Sequence, residues 1–262
     1  MTKDSQLMKD YRRPGYRAVT AGLSVNGSAA LLDFLKRAFD ARDGDINWNA
    51  DRSIGHGEIL IGDSLIEMSE ARPEWPAKPC SVHHYVRDAD ACYAKAVEAG
   101  AVSINKPENA PYGDRAAAVR DPAGNQWFIA TRLEGAPIPE GFHSITPYVI
   151  TSGADAVMAF AKAAFGATER IRVPAADGKV MHAELQIADS VIEFSDGSDA
   201  WPPSQCCLHV YVPDVDAAYR LALSAGATSV YEPMNQPYGD RECGVLDSGG
   251  NHWFIATHLA PS

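Results

Sequence analysis

Gly124–Thr131 reads GNQWFIAT, and Gly250–Thr257 reads GNHWFIAT. The text upstream of each matches as well: PYGDR occupies Pro111–Arg115 and again Pro237–Arg241. Working outward, Trp75-Pro76 recurs as Trp201-Pro202, Asp63-Ser64 with Glu67 as Asp189-Ser190 with Glu193, and His83-x-Tyr85-Val86 as His209-x-Tyr211-Val212. Each pair is 126 residues apart. A period that long marks a duplicated domain rather than a solenoid. The copies run over 16–133 and 143–262. Between them Glu134–Phe142, EGAPIPEGF, carries two Pro and two Gly and reads as a linker. Residues 1–15 read as a tail.

Each copy contains a weaker repeat of its own. In the second copy the β-rich HSITPYVI precedes the Ala-rich helical stretch ADAVMAFAKAAFGA, in which Val157, Phe160 and Ala164 share one face and Gly166 supplies the stop. Then CLHVYV precedes DVDAAYRLALSAGA, with Asp214 suited to the N-cap and Gly226 to the C′ position. Three short strand-like runs follow each helix. The spacing therefore predicts an α+β fold of four βαβββ modules, two tandem domains of mixed sheet with helices on one face.

Period-2 alternation sorts each strand into two faces. Met181, Ala183, Leu185 and Ile187 form an apolar set suited to packing on helices, opposite His182, Glu184 and Gln186. Leu208, Val210 and Val212 oppose Cys207, His209 and Tyr211; Ile192 and Phe194 oppose Val191 and Glu193. The helix-free face thus carries His182, Glu184, Glu193, His209 and Tyr211. The first copy offers His56, Glu58, Glu67, His83 and Tyr85. Such a face is either a solvated sheet surface or the wall of a curled, open cavity. The tyrosines beside the charges, and the same His and Glu positions in both copies, favour a cavity.

These residues resemble the vicinal oxygen chelate (glyoxalase/bleomycin resistance/dioxygenase) superfamily, and within it the PhnB-like branch. The matching text is AFGA (Ala164–Ala167), GKVMHAELQIADSVIEFSD (Gly178–Asp196), HVYVPDVDAAYRLALSAGA (His209–Ala227), YGDR (Tyr238–Arg241) and D-x-x-G-N-x-W (Asp247–Trp253). The resemblance implies glyoxalase-like domains whose paired modules curl around open cavities. It also implies metal ligands on the first and fourth strands of paired modules. Glu193, and Glu67 in the first copy, match one such position. Phe254 and Phe128 stand where the last-strand glutamate is expected. Cys207 takes another ligand place, with His209 two residues along the same face. The first strand of the second copy offers Tyr148 alone as a weak oxygen ligand. A divalent ion needs three or four convergent donors. A displaced set of Glu193, His209 and His182 leaves such an ion open as the one candidate cofactor.

Other motifs carry two readings each. In YGDR, Gly239 and Asp240 suit a turn, while Arg241 can reach the cavity to hold an anionic group. Trp75 and Trp201 either cap the core or lie over a pocket, and Trp127 and Trp253 point to the core. With Pro147-Tyr148 where the first copy has Ala21-Gly22, the second copy is expected to hold the better-formed site.

Composition narrows the partners. Lys and Arg total 23 against 34 Asp and Glu, a net charge of −11. That field repels nucleic acid and anionic membrane surfaces. No apolar run reaches membrane-spanning length, and the first residues lack a signal-peptide core. Five cysteines do not read as a disulfide framework. The expectation is a reduced cytoplasmic protein acting on a small molecule. It would be a monomer that mimics a homodimer within one chain, or a homodimer. Two function classes remain. One is a lyase, isomerase or ring-opening enzyme with Glu193 as base (Glu67 in the first copy), assisted by His182 or His209. Tyr211, Tyr148, Glu184, Arg241, Trp201, Phe254, His56 and His83 would then line the site. The other is sequestration of an aromatic or antibiotic-like compound, as the resistance members of the family perform. A glutathione-dependent glyoxalase I of the usual metal type is not expected, because Phe254 and Phe128 can neither ligate metal nor take a proton.

Overall fold

Asp121 and Asp247 explain why GN-x-WFIAT decides the architecture. In the computed structural model, which describes residues 11–259, Asp247 accepts hydrogen bonds from the backbone N–H groups of Gly249 and Asn251, from the Asn251 amide and from Trp253 Nε1 at 2.8 Å. Asn251 in turn accepts the Cys206 N–H. Asp121, Asn125, Trp127 and Cys80 repeat the arrangement. One buried carboxylate thus closes the turn, orients the indole and ties two strands together. Both tryptophans are fully buried, as alternation predicts.

The described residues form two compact units, one of Ala21–Tyr148 and one of residues 149–259 with residues 11–20. Both divisions fall within the first strand of a copy, not in the 134–142 linker.

In the first unit, β1 (Val19–Val25), α1 (Ser28–Phe39), β2 (Arg42–Trp48), β3 (Ile54–Ile61) and β4 (Ser64–Glu70) form the first module. The second module is β5 (Ser81–Tyr85), α2 (Ala89–Glu98), β6 (Val102–Asn109), β7 (Asp114–Arg120) and β8 (Gln126–Arg132). β1 runs parallel to β4, and β4-β3-β2 follow antiparallel. β5 is parallel to β8, with β7 and β6 beyond it, and its other edge pairs antiparallel with Ile145–Tyr148.

The second unit repeats this with β9 (Ile145–Thr151), α3 (Ala154–Phe165), β10 (Thr168–Pro174), β11 (Val180–Ile187) and β12 (Ser190–Asp196). Its last module is β13 (Cys207–Tyr211), α4 (Val215–Ser224), β14 (Thr228–Asn235), β15 (Asp240–Leu246) and β16 (His252–His258). The order first–fourth–third–second recurs in all four modules. The result is the expected α+β mixed-sheet fold of four βαβββ modules.

The helices start in two ways. Asp88 and Asp214 cap α2 and α4, accepting from Ala91 and Ala217. The N-termini of α1 and α3 instead receive a strand-end carboxylate: Glu70 accepts from Gly27 and Ser28, and Asp196 from Gly153 and Ala154. At the far end of α3, Gly166 takes φ 67°, a left-handed conformation that costs glycine little; Asp40 is held there at φ 53° after α1. Val157, Phe160 and Ala164 are buried as their spacing predicts, and Phe160 and Phe165 pack on Trp253 with ring centroids at 5.5 and 5.1 Å.

Met181 departs from the expected apolar face. It is 58% exposed, because the β10–β11 register slips between Val173 and Pro174 and turns it outward while Val180 is buried. No helix among the described residues is long and apolar enough to cross a membrane.

Candidate functional site

The face of β11 and β12 gathers most of the expected acid–base groups. Glu184 stands directly across from Glu193 in the antiparallel register. Both are buried, Glu193 to 2% exposure. Facing like charges repel, and the Arg170 guanidinium, with His182 when protonated, offsets this. Arg170 Nε lies 3.4 Å from Glu184, and its guanidinium also donates to Gln186. His182 Nε2 lies 3.6 Å from Glu184. Burial alone would lower the imidazole's pKa, but hydrogen bonding to Glu184 and the charges of Glu193 and Glu184 outweigh it and raise it. His182 is thus biased towards its protonated form beside a buried carboxylate pair.

The first copy carries a thinner version. Glu58 faces Glu67 in the same register, but both are only half-buried and His56 is exposed. Gly44 occupies the place of Arg170, where even a Cβ would stand 2.8 Å from the Glu58 carbonyl oxygen.

His209 is elsewhere, on β13. Its Nε2 lies 3.6 Å from Glu242 on β15, and its ring contacts Tyr16 and Tyr211. Tyr211 is buried and spends its hydroxyl on Asp240 at 2.6 Å, which also takes His258 Nδ1 at 2.6 Å. The two histidines expected to assist Glu193 therefore belong to two different faces. The described residues hold no group of three or more His, Cys, Asp or Glu side chains able to bind a metal ion, so Glu193, His182 and His209 do not fit the divalent site left open by the sequence.

Arg241, a candidate anion holder, instead makes two hydrogen bonds to Asp216 on α4, at 2.6 and 2.7 Å, and one to Asn235. Arg115 repeats this with Asp90 and Asn109. The YGDR motif therefore joins a turn to a helix. Trp201 lies in the loop after β12, its backbone paired with Ser198. Phe254 is half-buried beside His209 in the β13–β16 register.

In the Ala21–Tyr148 unit the same strand positions are aromatic. Phe128 packs against Tyr148 at 5.1 Å, His83 stacks on Tyr85 at 4.2 Å, and Tyr85 meets Phe142 at 5.4 Å.

Glu242 and Tyr231 were not legible as site residues. Their signal lies only in the difference between copies, where Ala116 and Asn105 stand 126 residues earlier.

A family model described as Glyoxalase/Bleomycin resistance protein/Dioxygenase superfamily matches residues 17–129 and 141–255. An uncharacterized Mycobacterium bovis protein, Mb0911c, is 36% identical over 123 residues, covering 43% of this chain and 81% of the relative. An uncharacterized Mycobacterium tuberculosis protein, MT0910, matches at the same identity over 72% of its length. Among solved structures, glyoxalase I from Zea mays superposes with a TM-score of 0.68 at 15% identity, covering 92% of both chains. A putative dioxygenase from Bacillus subtilis gives 0.57 at 14%, covering 92% of this chain and 84% of that one. At such identities the likeness to both structures is one of fold.

Proposed function

The chain belongs to the Glyoxalase/Bleomycin resistance protein/Dioxygenase superfamily, and from that premise we propose that it is a PhnB-like enzyme of lyase or isomerase type. It would work on a small organic carbonyl compound with its own acid–base groups. The observation that carries this reading is the buried Glu184–Glu193 pair with His182 beside it. Glu193 takes a proton from the carbon next to the carbonyl. His182 donates a proton to the carbonyl oxygen as negative charge develops there, so that an enol forms with no net charge created. Glu184 holds the imidazole in place, and Arg170 holds Glu184. The partner is a small molecule, not nucleic acid or a membrane, and the chain acts as a monomer that mimics a homodimer, or as a homodimer.

The test is proton exchange. The full chain is incubated in D2O with a panel of hydroxy- and keto-carbonyl acids, and loss of the α-proton signal is followed by NMR. Exchange should occur with at least one of them and fall by about 10²-fold or more in Glu193→Gln. Exchange at equal rates in wild type and variant would remove the mechanism.

The aromatic run of Phe128, Tyr148, His83 and Tyr85 favours a second reading, sequestration of a planar compound by stacking. That reading predicts saturable binding of a planar aromatic probe without turnover, lost in Phe128→Ala.

A further inference from the structure

The β13–β16 face differs from its counterpart in the first copy by a set of changes that fit one another. Where the first copy has Asn105, Ala116 and Ala118, the second has Tyr231, Glu242 and Gly244. In the structure these three meet. Tyr231 donates its hydroxyl to Glu242 Oε1 at 2.5 Å. Its ring crosses Gly244 so closely that a Cβ there would stand 2.5 Å from it. Glycine at 244 is therefore the condition for tyrosine at 231 to reach the carboxylate. Tyr238 donates to the same oxygen at 3.1 Å. Burial first, and then the Glu242 charge, raise the pKa of Tyr231, so it stays a donor.

Glu242 is 9% exposed. Burying a carboxylate is costly, and the fold does without one here, since alanine holds the equivalent place at 116. The two phenols fix Oε1, while Oε2 faces His209. Tyr16 and Tyr211 pack edge-on to one another at 5.4 Å, and both contact His209. Phe254 lies opposite both His209 and Gly244 in the strand register. Tyr238 is 49% exposed. An oriented carboxylate among aromatic rings, in a protein of net charge −11, is chemistry that recognises an ammonium group.

We propose that the Glu242 face is a second small-molecule site, distinct from the Glu193 face, for a ligand carrying a protonated amine. Glu242 Oε2 takes the ammonium hydrogen bond, and the surrounding rings take the adjoining methylene groups.

The test uses n-butylammonium chloride and neutral n-butanol as probes, with binding to the full chain followed by NMR titration. Butylammonium should bind saturably and at least about tenfold more tightly than butanol. Glu242→Gln should weaken butylammonium by about tenfold or more and leave butanol unchanged, whereas Glu193→Gln should leave both unchanged. The triple variant Tyr231→Asn, Glu242→Ala, Gly244→Ala installs the residues that the first copy already carries in the same fold. It should remain folded and lose the preference for the amine. Absence of saturable butylammonium binding, or binding insensitive to Glu242→Gln and to the triple variant, would overturn the proposal. Loss in Glu193→Gln instead would also overturn it, by placing the amine on the other face.

Discussion

His84 makes the stability of the first copy acid-sensitive, and His84→Val should remove that sensitivity. His84 is fully buried on β5, edge-on to Phe39 at 5.0 Å and near Trp127 at 6.3 Å. Its Nδ1 makes no hydrogen bond to the described residues. Burial, reinforced by the charge of His83, lowers its pKa from 6.5 to about 3. The folded-state value lies below the unfolded one, so the unfolded chain takes up the proton first. The stability tied to this group is therefore full above pH 6.5 and is lost as pH falls towards 3. Each pH unit in that window is worth about 1.4 kcal/mol, so lowering the pH from 6.5 to 5 costs about 2 kcal/mol. Valine occupies the equivalent position at 210, buried in the same fold. At pH 7.5 the lost ring contacts, about 1–2 kcal/mol, roughly offset relief of the unpaired nitrogen, about 1–3 kcal/mol. Urea unfolding at pH 7.5 and 5 should give curves for His84→Val that agree with wild type at the higher pH. At the lower pH the variant should be more stable by about 2 kcal/mol. Equal losses in both proteins between the two pH values would refute the assignment.

Other outcomes follow from single contacts. Asp40→Gly should stabilise the end of α1 by about 0.5–1 kcal/mol through relief of the left-handed conformation, read as a rise in urea midpoint; destabilisation would show that the exposed ion pair of Asp40 with Lys95, at 2.6 Å, outweighs it. Asp247→Ala should cost about 2–4 kcal/mol, because it strands the buried Trp253 Nε1 and Asn251 amide; a change under about 0.5 kcal/mol would contradict the structural role of the motif. With methylglyoxal, glutathione and added Ni²⁺, Zn²⁺ or Co²⁺, the protein should give no hemithioacetal isomerisation above background. Metal-restored turnover that a chelator removes would show a working ligand set despite Phe254 and Phe128.

Local rules reached far in this chain because duplication printed each signal twice. Asp214 was readable as a cap since the capped N–H lies three residues away, and Asp88 is its counterpart in the first copy. The caps of α1 and α3 were not, because Glu70 and Asp196 arrive from strands 42 or 43 residues later. Alternation placed His182, Glu184 and Glu193 together because antiparallel register preserves period two, and it failed at Met181 where a bulge breaks that period. The cavity alternative for Arg241 stayed open beside the turn reading because Asp216, its partner, is distant in sequence and adjacent only through helix packing. Tyr211 was read as a ligand wall; its hydroxyl donates to Asp240, so only its ring is left for that role. Glu242 carries no motif at all, and only its pairing with Gly244 and Tyr231 in space gives it meaning.

The account of the Glu193 face rests on His182 and the two carboxylates acting as one electrostatic unit. Titration of the His182 imidazole by NMR tests this without knowledge of the substrate. Its pKa should lie above the ordinary value of 6.5 in the wild-type chain and fall in both Glu184→Gln and Glu193→Gln. A value at or below 6.5 that neither substitution moves would contradict the account.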